Sequence, residues 1–173
     1  MTPGNMASLA IAKVADNRDP LGQGRVILTY PWLDASLKTD WISVAQPHAG
    51  DDRGIFWMPE IDDEMVVGFL HGDFNKPVVL GAMWNGVAHA PSRDPRERMI
   101  RSKNGHTIRF LDSTVTNGDK GALIIEDGHG SMVSMTNGYM VVRAKGTLVI
   151  EANAVMLRGK GWKRTVTPNS NPI

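Results

Sequence analysis

The chain has 173 residues, 42% hydrophobic and 21% charged, with a net charge of +1 and no cysteine. That length suits one ordinary domain or two small ones, and the near-neutral charge argues against a nucleic-acid coat or a membrane-surface protein. Without cysteine there is neither a disulfide framework nor a thiolate metal site.

The first residues, MTPGNMASLAIAKVADNRD, carry no basic n-region and no long apolar core. They do not read as a secretory signal, and nothing later is long enough for a membrane-spanning helix. Assembly in the cytoplasm without a signal peptide is therefore expected.

From about residue 8 to 85 the pattern is one of short strand-like runs broken by Gly, Pro and Asp turns. The runs are Leu9–Ala15, Gly24–Tyr30, Trp41–Val44, Ile55–Trp57, Glu64–Leu70 and Pro77–Met83. A short helix near Leu33–Thr39 is weakly signalled. About six short strands in so few residues fit a small closed barrel. Residues 1–7 form an N-terminal arm, and 86–98 (GVAHAPSRDPRER) a polar, Pro-bearing linker.

From 99 to 158 an eight-residue beat takes over. Ile124, Met132, Met140, Leu148 and Met156 keep one column, and Ile125, Val133, Val141, Val149 and Leu157 the next. Gly130, Gly138 and Gly146 precede the apolar pairs, while DSTVTNGDKG interrupts the beat as a loop. A fixed period marks stacked repeats, and eight residues give one short strand and one turn. That is one side of a triangular β-helix, so closing the prism calls for three intertwined copies. The β-branched column is the expected trimer core, because stiff, compact side chains fill a narrow axis. The Met column fits the axis equally well. Residues 159–173 leave the beat as a polar tail.

Several groups invite a chemical reading. Glu60, Asp62, Asp63 and Glu64 crowd one segment with no His nearby, which reads as turn acids rather than a working pair. His48, His71, His89, His106 and His129 are scattered, and no nucleophile–base context stands out. Neither catalysis nor a cofactor or metal is expected. The Trp residues raise oligonucleotide or glycan stacking, with the repeats as a trimerising stalk. Between Arg25 and Arg93, however, the basic residues are only Lys38, Arg53 and Lys76, too few for a nucleic-acid groove.

An ordered set of motifs then carries a resemblance. Asp19-Pro20, Gly22, Gly24-Arg25-Val26, Pro31-Trp32-x-Asp34, Trp41, Val44, Pro47-x-Ala49-Gly50 and Met58-Pro59-Glu60 occur in sequence. Gly72-Asp73, Pro77 to Gly81 and Trp84-Asn85-Gly86 follow. Residues 8–90 resemble the OB-fold domain of contractile-tail spike proteins, the family of phage baseplate assembly protein V, myophage central spikes and VgrG. The octads resemble that family's trimeric β-helix needle.

The resemblance implies an all-β fold, an N-terminal OB-fold barrel followed by an intertwined homotrimeric β-helix. It implies a non-enzymatic needle, part of a virion or extracellular injection particle, that transmits contraction force to a target cell envelope. The chain has no room for a lysozyme or hub domain, so a separate hub protein is expected at the barrel, with Trp32, Asp34, Trp41 and Trp84 as candidate contacts. No His-x-His occurs for an iron-bound apex. Either the tail folds over the apex without metal or a PAAR-like tip protein caps it, and the cap is favoured. Met156, Arg158, Trp162 and Lys163 are the candidate tip contacts. Eight beats from Ile100 to Met156 would make a shaft of roughly 35–40 Å.

Overall fold

The computed structural model describes residues 9–114 and 116–166. The expected arm at 1–7 and the end of the tail at 167–173 lie outside the described residues. The chain divides into two compact units, parting between Ala90 and Pro91. Among the described residues both are built of strands, with one 3-10 turn at Leu70–Gly72.

The first unit runs through β1 (Ala10–Asp16), β2 (Arg25–Tyr30), β3 (Asp34–Lys38), β4 (Ile42–Ser43), β5 (Ala49–Gly50), β6 (Arg53–Gly54), β7 (Glu64–Phe69) and β8 (Pro77–Ala82). β1 pairs antiparallel with β2 and β7, and β7 pairs with β8. β4 pairs with β2, and a parallel bridge from Val44 to Val79 brings the same stretch against β8. The order β1-β2-β4-β8-β7 thus closes into a five-stranded barrel. Alternation sets its interior: in β1, Ala10, Ala12 and Val14 point in while Ile11 and Lys13 point out. Ala12, Val26, Leu28, Val67 and Val79 have no exposed surface, and Ile42 and Met65 complete the packing.

Two expectations fail here. Leu33–Thr39 is not a helix: β3 pairs with β2, Leu28 and Thr39 exchange hydrogen bonds, and the Asp34 carboxylate accepts from Ser36 N and Oγ. Ladder bonding to β2 overrides a weak local signal. Ile55–Trp57 is not a strand either. A small hairpin of β5 and β6 precedes it, and Gly54 sits at φ +144 with the place of a Cβ only 2.4 Å from His48 O. Ile55 N donates to that same oxygen, and the chain leaves the ladder there.

The β1–β2 loop is organised by one carboxylate. Asp19 accepts from Arg25 Nη2 at 2.7 Å and Nε at 3.0 Å, and from the backbone of Leu21 and Gln23. Its side chain is 4% exposed. The Arg25 hydrogen bonds, helped by the two backbone N–H groups, hold this carboxyl far below the usual carboxylate range against the opposing pull of desolvation. Gly22 at φ +63 has open space around it, so the backbone sign rather than crowding calls for glycine. The acids at 60–64 are likewise structural: Glu60 N donates to Asp63 Oδ2, and Glu64 Oε2 accepts from Asn85.

The second unit holds β9 (Glu97–Arg101), β10 (Thr107–Leu111), β11 (Ala122–Glu126), β12 (Met132–Thr136), β13 (Tyr139–Arg143), β14 (Val155–Gly159) and β15 (Trp162–Val166). β9 to β13 form one antiparallel meander in chain order, and β14 and β15 a separate hairpin. β9 begins inside the stretch expected as linker. The expected winding of each octad onto a different partner chain is therefore replaced, across 97–143, by pairing between successive strands of one chain. The reason is local: Gly130 at φ +92 and Asn137-Gly138 at φ +46 and +87 supply reversals short enough to fold each strand onto the last. Leu148, Val149 and Ile150 belong to no strand and are exposed.

Leu28→Ala, in the barrel core, should destabilise the protein by about 3 kcal/mol in urea unfolding monitored by Trp fluorescence. Asp19 gives a pH signature. A depressed folded value means its contribution is full above the ordinary carboxylate range and is lost as pH falls toward the folded value. Asp19→Asn should lower the urea midpoint at neutral pH and flatten its decline between about pH 4 and pH 2. Equal slopes in the two proteins over that window would refute the assignment.

Candidate functional site

The first surface belongs to the barrel. Trp32 is half-exposed, its indole N–H donates to Ile11 O at 3.0 Å, and its ring lies 5.8 Å from Tyr30. Tyr30 in turn meets Phe74, which stacks on Phe69 at 5.2 Å. Trp32 is thus a braced anchor, wet on one side. Asp34 is exposed but engaged at the entrance to β3, and its hydrogen bonds from Ser36 lower its pKa. Trp41 is partly buried under the Arg25 guanidinium, 6.0 Å from the ring centroid. Trp84 is 68% exposed just after β8. No ring contact among the described residues joins Trp32, Trp41 and Trp84, so the candidates do not form one cluster.

Sequence reasoning missed a further patch. Ile55, Phe56 and Trp57 follow one another in extended exposure, with Phe56 79% accessible. The signal was present: three large apolar residues in a row, without alternation, between DDRG and a Pro-led acidic turn.

The second surface is one face of the β9–β13 sheet. Register places Ile100, Ile108, Ile125, Val133 and Val142 directly across from one another in one row. Arg98, Phe110, Leu123, Met135 and Met140 form the next row on the same face. Arg98 is the only polar residue among these ten positions. Ile100, Phe110, Met140 and Val142 are each about half-exposed or more, so the described residues do not cover this face. A groove of about 500 Å³ runs along its edge, floored by Phe110, Leu123, Met135 and Met140 and lipped by Asp112, Lys120 and Asn137.

The opposite face is mixed. Thr107, Ile124 and Ser134 are its most covered residues, and Arg109 sits 3.4 Å from both Glu97 and Glu126.

The expected core column does not stay on one side. Ile125 and Val133 pair on the apolar face, but Val141 faces Ser134 on the mixed one. Loop parity explains this. Five residues separate β11 from β12, and an odd loop keeps an even period in phase. The two-residue turn Asn137-Gly138 shifts the phase, and Val142 takes the place expected for Val141. Val149 lies outside any strand, and Leu157 stands across from Arg164 in β14.

The third surface is the β14–β15 hairpin, which gathers the four expected tip contacts. Met156 and Arg158 lie on β14, and Trp162 and Lys163 on β15. Arg158 is directly opposite Lys163 and Gly159 opposite Trp162, around a Lys160-Gly161 turn. Like charges in direct register disfavour the hairpin unless an acidic group lies nearby.

Among the described residues no group of three or more His, Cys, Asp or Glu is placed to hold a metal. His106 has a structural role: its Nδ1 accepts from Gly128 N at 3.1 Å, tying the β9–β10 turn to the β11–β12 turn. No helix among the described residues is long and apolar enough to cross a membrane.

Residues 10–84 match the type VI secretion system/phage-baseplate injector OB domain. The type VI secretion system spike protein VgrG2a of Pseudomonas aeruginosa is 33% identical over 103 residues, covering 53% of this chain and 12% of its own length. Spike protein VgrG3 of Vibrio cholerae is 33% identical over 72 residues, 39% of this chain and 7% of its own length. The actin cross-linking toxin VgrG1 of the same species is 30% identical over 79 residues, 43% and 7% of the two. The matched stretch is thus a small fraction of each relative. The closed five-stranded order and the span of these matches agree: residues 10–84 form an OB domain of the type VI secretion and phage-baseplate injector kind.

Proposed function

We propose that this chain is the central, cell-puncturing spike of a contractile tail or injection baseplate. It acts as a homotrimer that links a hub protein to a tip and transmits contraction force to the target envelope. The observation that carries this reading is the uncovered apolar face of the β9–β13 sheet. A two-layer rule governs sheets: an apolar face must meet another layer. Nothing in the described part of this chain supplies that layer, and three copies supply it to one another.

In this arrangement each sheet is one wall of a three-sided prism, with the rows around Ile125 and Phe110 turned to the axis. Five strands stacked at about 4.8 Å give a wall roughly 20 Å tall. Ile125 and Val133 keep their axial role, Val142 replaces Val141, and the exposed run Leu148–Ile150 is the segment available to interweave with a neighbouring copy. Work is mechanical rather than enzymatic. The barrel meets the hub through Trp32 and Trp84, with Asp34 and Trp41 bracing the loops between. The β14–β15 hairpin offers Met156, Arg158, Trp162 and Lys163 to an acidic face of a PAAR-like tip protein.

Light scattering tests the assembly directly. The wild-type chain should run at about 57 kDa, three times its 18.9 kDa. Val133→Asp would bury three carboxylates in one layer and should give single chains. Val141→Asp, on the other face, should leave the trimer mass unchanged. A well-folded wild-type protein at 18.9 kDa would overturn the proposal.

A further inference from the structure

The apolar face ends in a charged margin that the barrel, the hairpin and the hydrophobic rows do not explain. Arg98 shares the face with Phe110 and forms an ion pair with Asp112, which continues β10. One step further out, Asp112 N bonds to Arg96 O. Arg96 is paired in turn with Asp94 through two hydrogen bonds, at 2.9 and 3.1 Å, and reaches Thr114 Oγ1 at 3.3 Å. Two cations and two anions therefore alternate along one margin. All four side chains are well exposed, from 45% for Asp94 to 64% for Arg98.

Exposed pairs of this kind add little to the stability of a single chain. Their position matters more, because they border a surface whose burial drives assembly. A margin with equal charges of both signs is complementary to itself, which suits an identical copy better than a uniformly acidic or basic partner. Apolar rows alone specify register poorly, since Ile, Val, Met and Leu can slide past one another by a strand spacing. Charged groups at an apolar seam are known to fix register, at some loss of stability.

We infer that the Arg98–Asp112 margin is the register element of the contact between copies, with Arg98 of one chain meeting Asp112 of the next. This rests on the trimer reading above and adds to it the residues that align the walls. A slip of one strand would set the Arg98–Asp112 pair of one chain against apolar side chains of the next, and that desolvation disfavours the slipped state.

The experiment uses two full-length variants, Arg98→Asp and Asp112→Arg, weighed by native mass spectrometry alone and as an equimolar mixture. Circular dichroism checks that each keeps its strand content. Each variant alone should assemble at least about tenfold more weakly than wild type, since like charges now face one another. Mixing should restore part of the lost assembly as trimers containing both chains, because a two-to-one ring pairs opposite charges at two of its three contacts. Rescue on mixing cannot arise from a pair confined to one chain. Trimers unaffected by either substitution, or variants that stay apart when mixed, would overturn the inference while leaving the trimer intact. A monomeric wild type would instead overturn the assembly reading itself.

Discussion

Burial of apolar surface is satisfied in one half of this molecule and unsatisfied in the other, and the rest of the structure follows from that contrast. In the barrel, β4 bridges β2 and β8, the sheet closes, and Val26, Leu28, Val67 and Val79 lose all contact with solvent. In the β9–β13 meander, Ile100, Phe110 and Val142 lie on an open face. At roughly 25 cal/mol per Å² of apolar surface removed from water, a face of this composition is a strong drive toward association. The first half closes over its apolar residues, and the second leaves one apolar face open among the described residues.

Charge is distributed to match. In the barrel the nearly buried Asp19–Arg25 pair is saturated with hydrogen bonds and shapes a single loop. In the meander only Arg98 enters the two apolar rows, at the β9 end of one of them. Arg109 lies between Glu97 and Glu126 on the mixed face, and Arg96 and Arg98 stand at the margin of the other. Segregation of this kind gives the open apolar face a charged border, the arrangement common at protein interfaces.

Much of this was legible in the sequence. The barrel strands at 10–16, 25–30, 64–69 and 77–82 announced themselves through alternation and turn residues within a residue or two. The motif order from Asp19 to Gly86 identified the family that residues 10–84 then matched. What escaped reading was set by pairing. β3 has no strong strand signal of its own and exists because β2 offers a partner. Ile55–Trp57 looks like a strand but is diverted by a glycine at φ +144. The octads disclosed repeating strands, yet a period counts positions and not loop parity. Ile125 and Val133 therefore stay in register while Val141 changes sides at a two-residue turn. The candidate hub contacts were chosen as residue types, and only coordinates could show that Asp34 accepts from Ser36 and that Trp41 lies beneath Arg25.

The boundary between Ala90 and Pro91 has an evolutionary corollary. The ten buried residues of the barrel core all lie between Ala10 and Val79. Hairpins can be inserted into or deleted from the repeat without disturbing the domain before it. The length of the repeat thereby becomes free to vary in increments of one strand and one turn, while the closed domain before it keeps its interior.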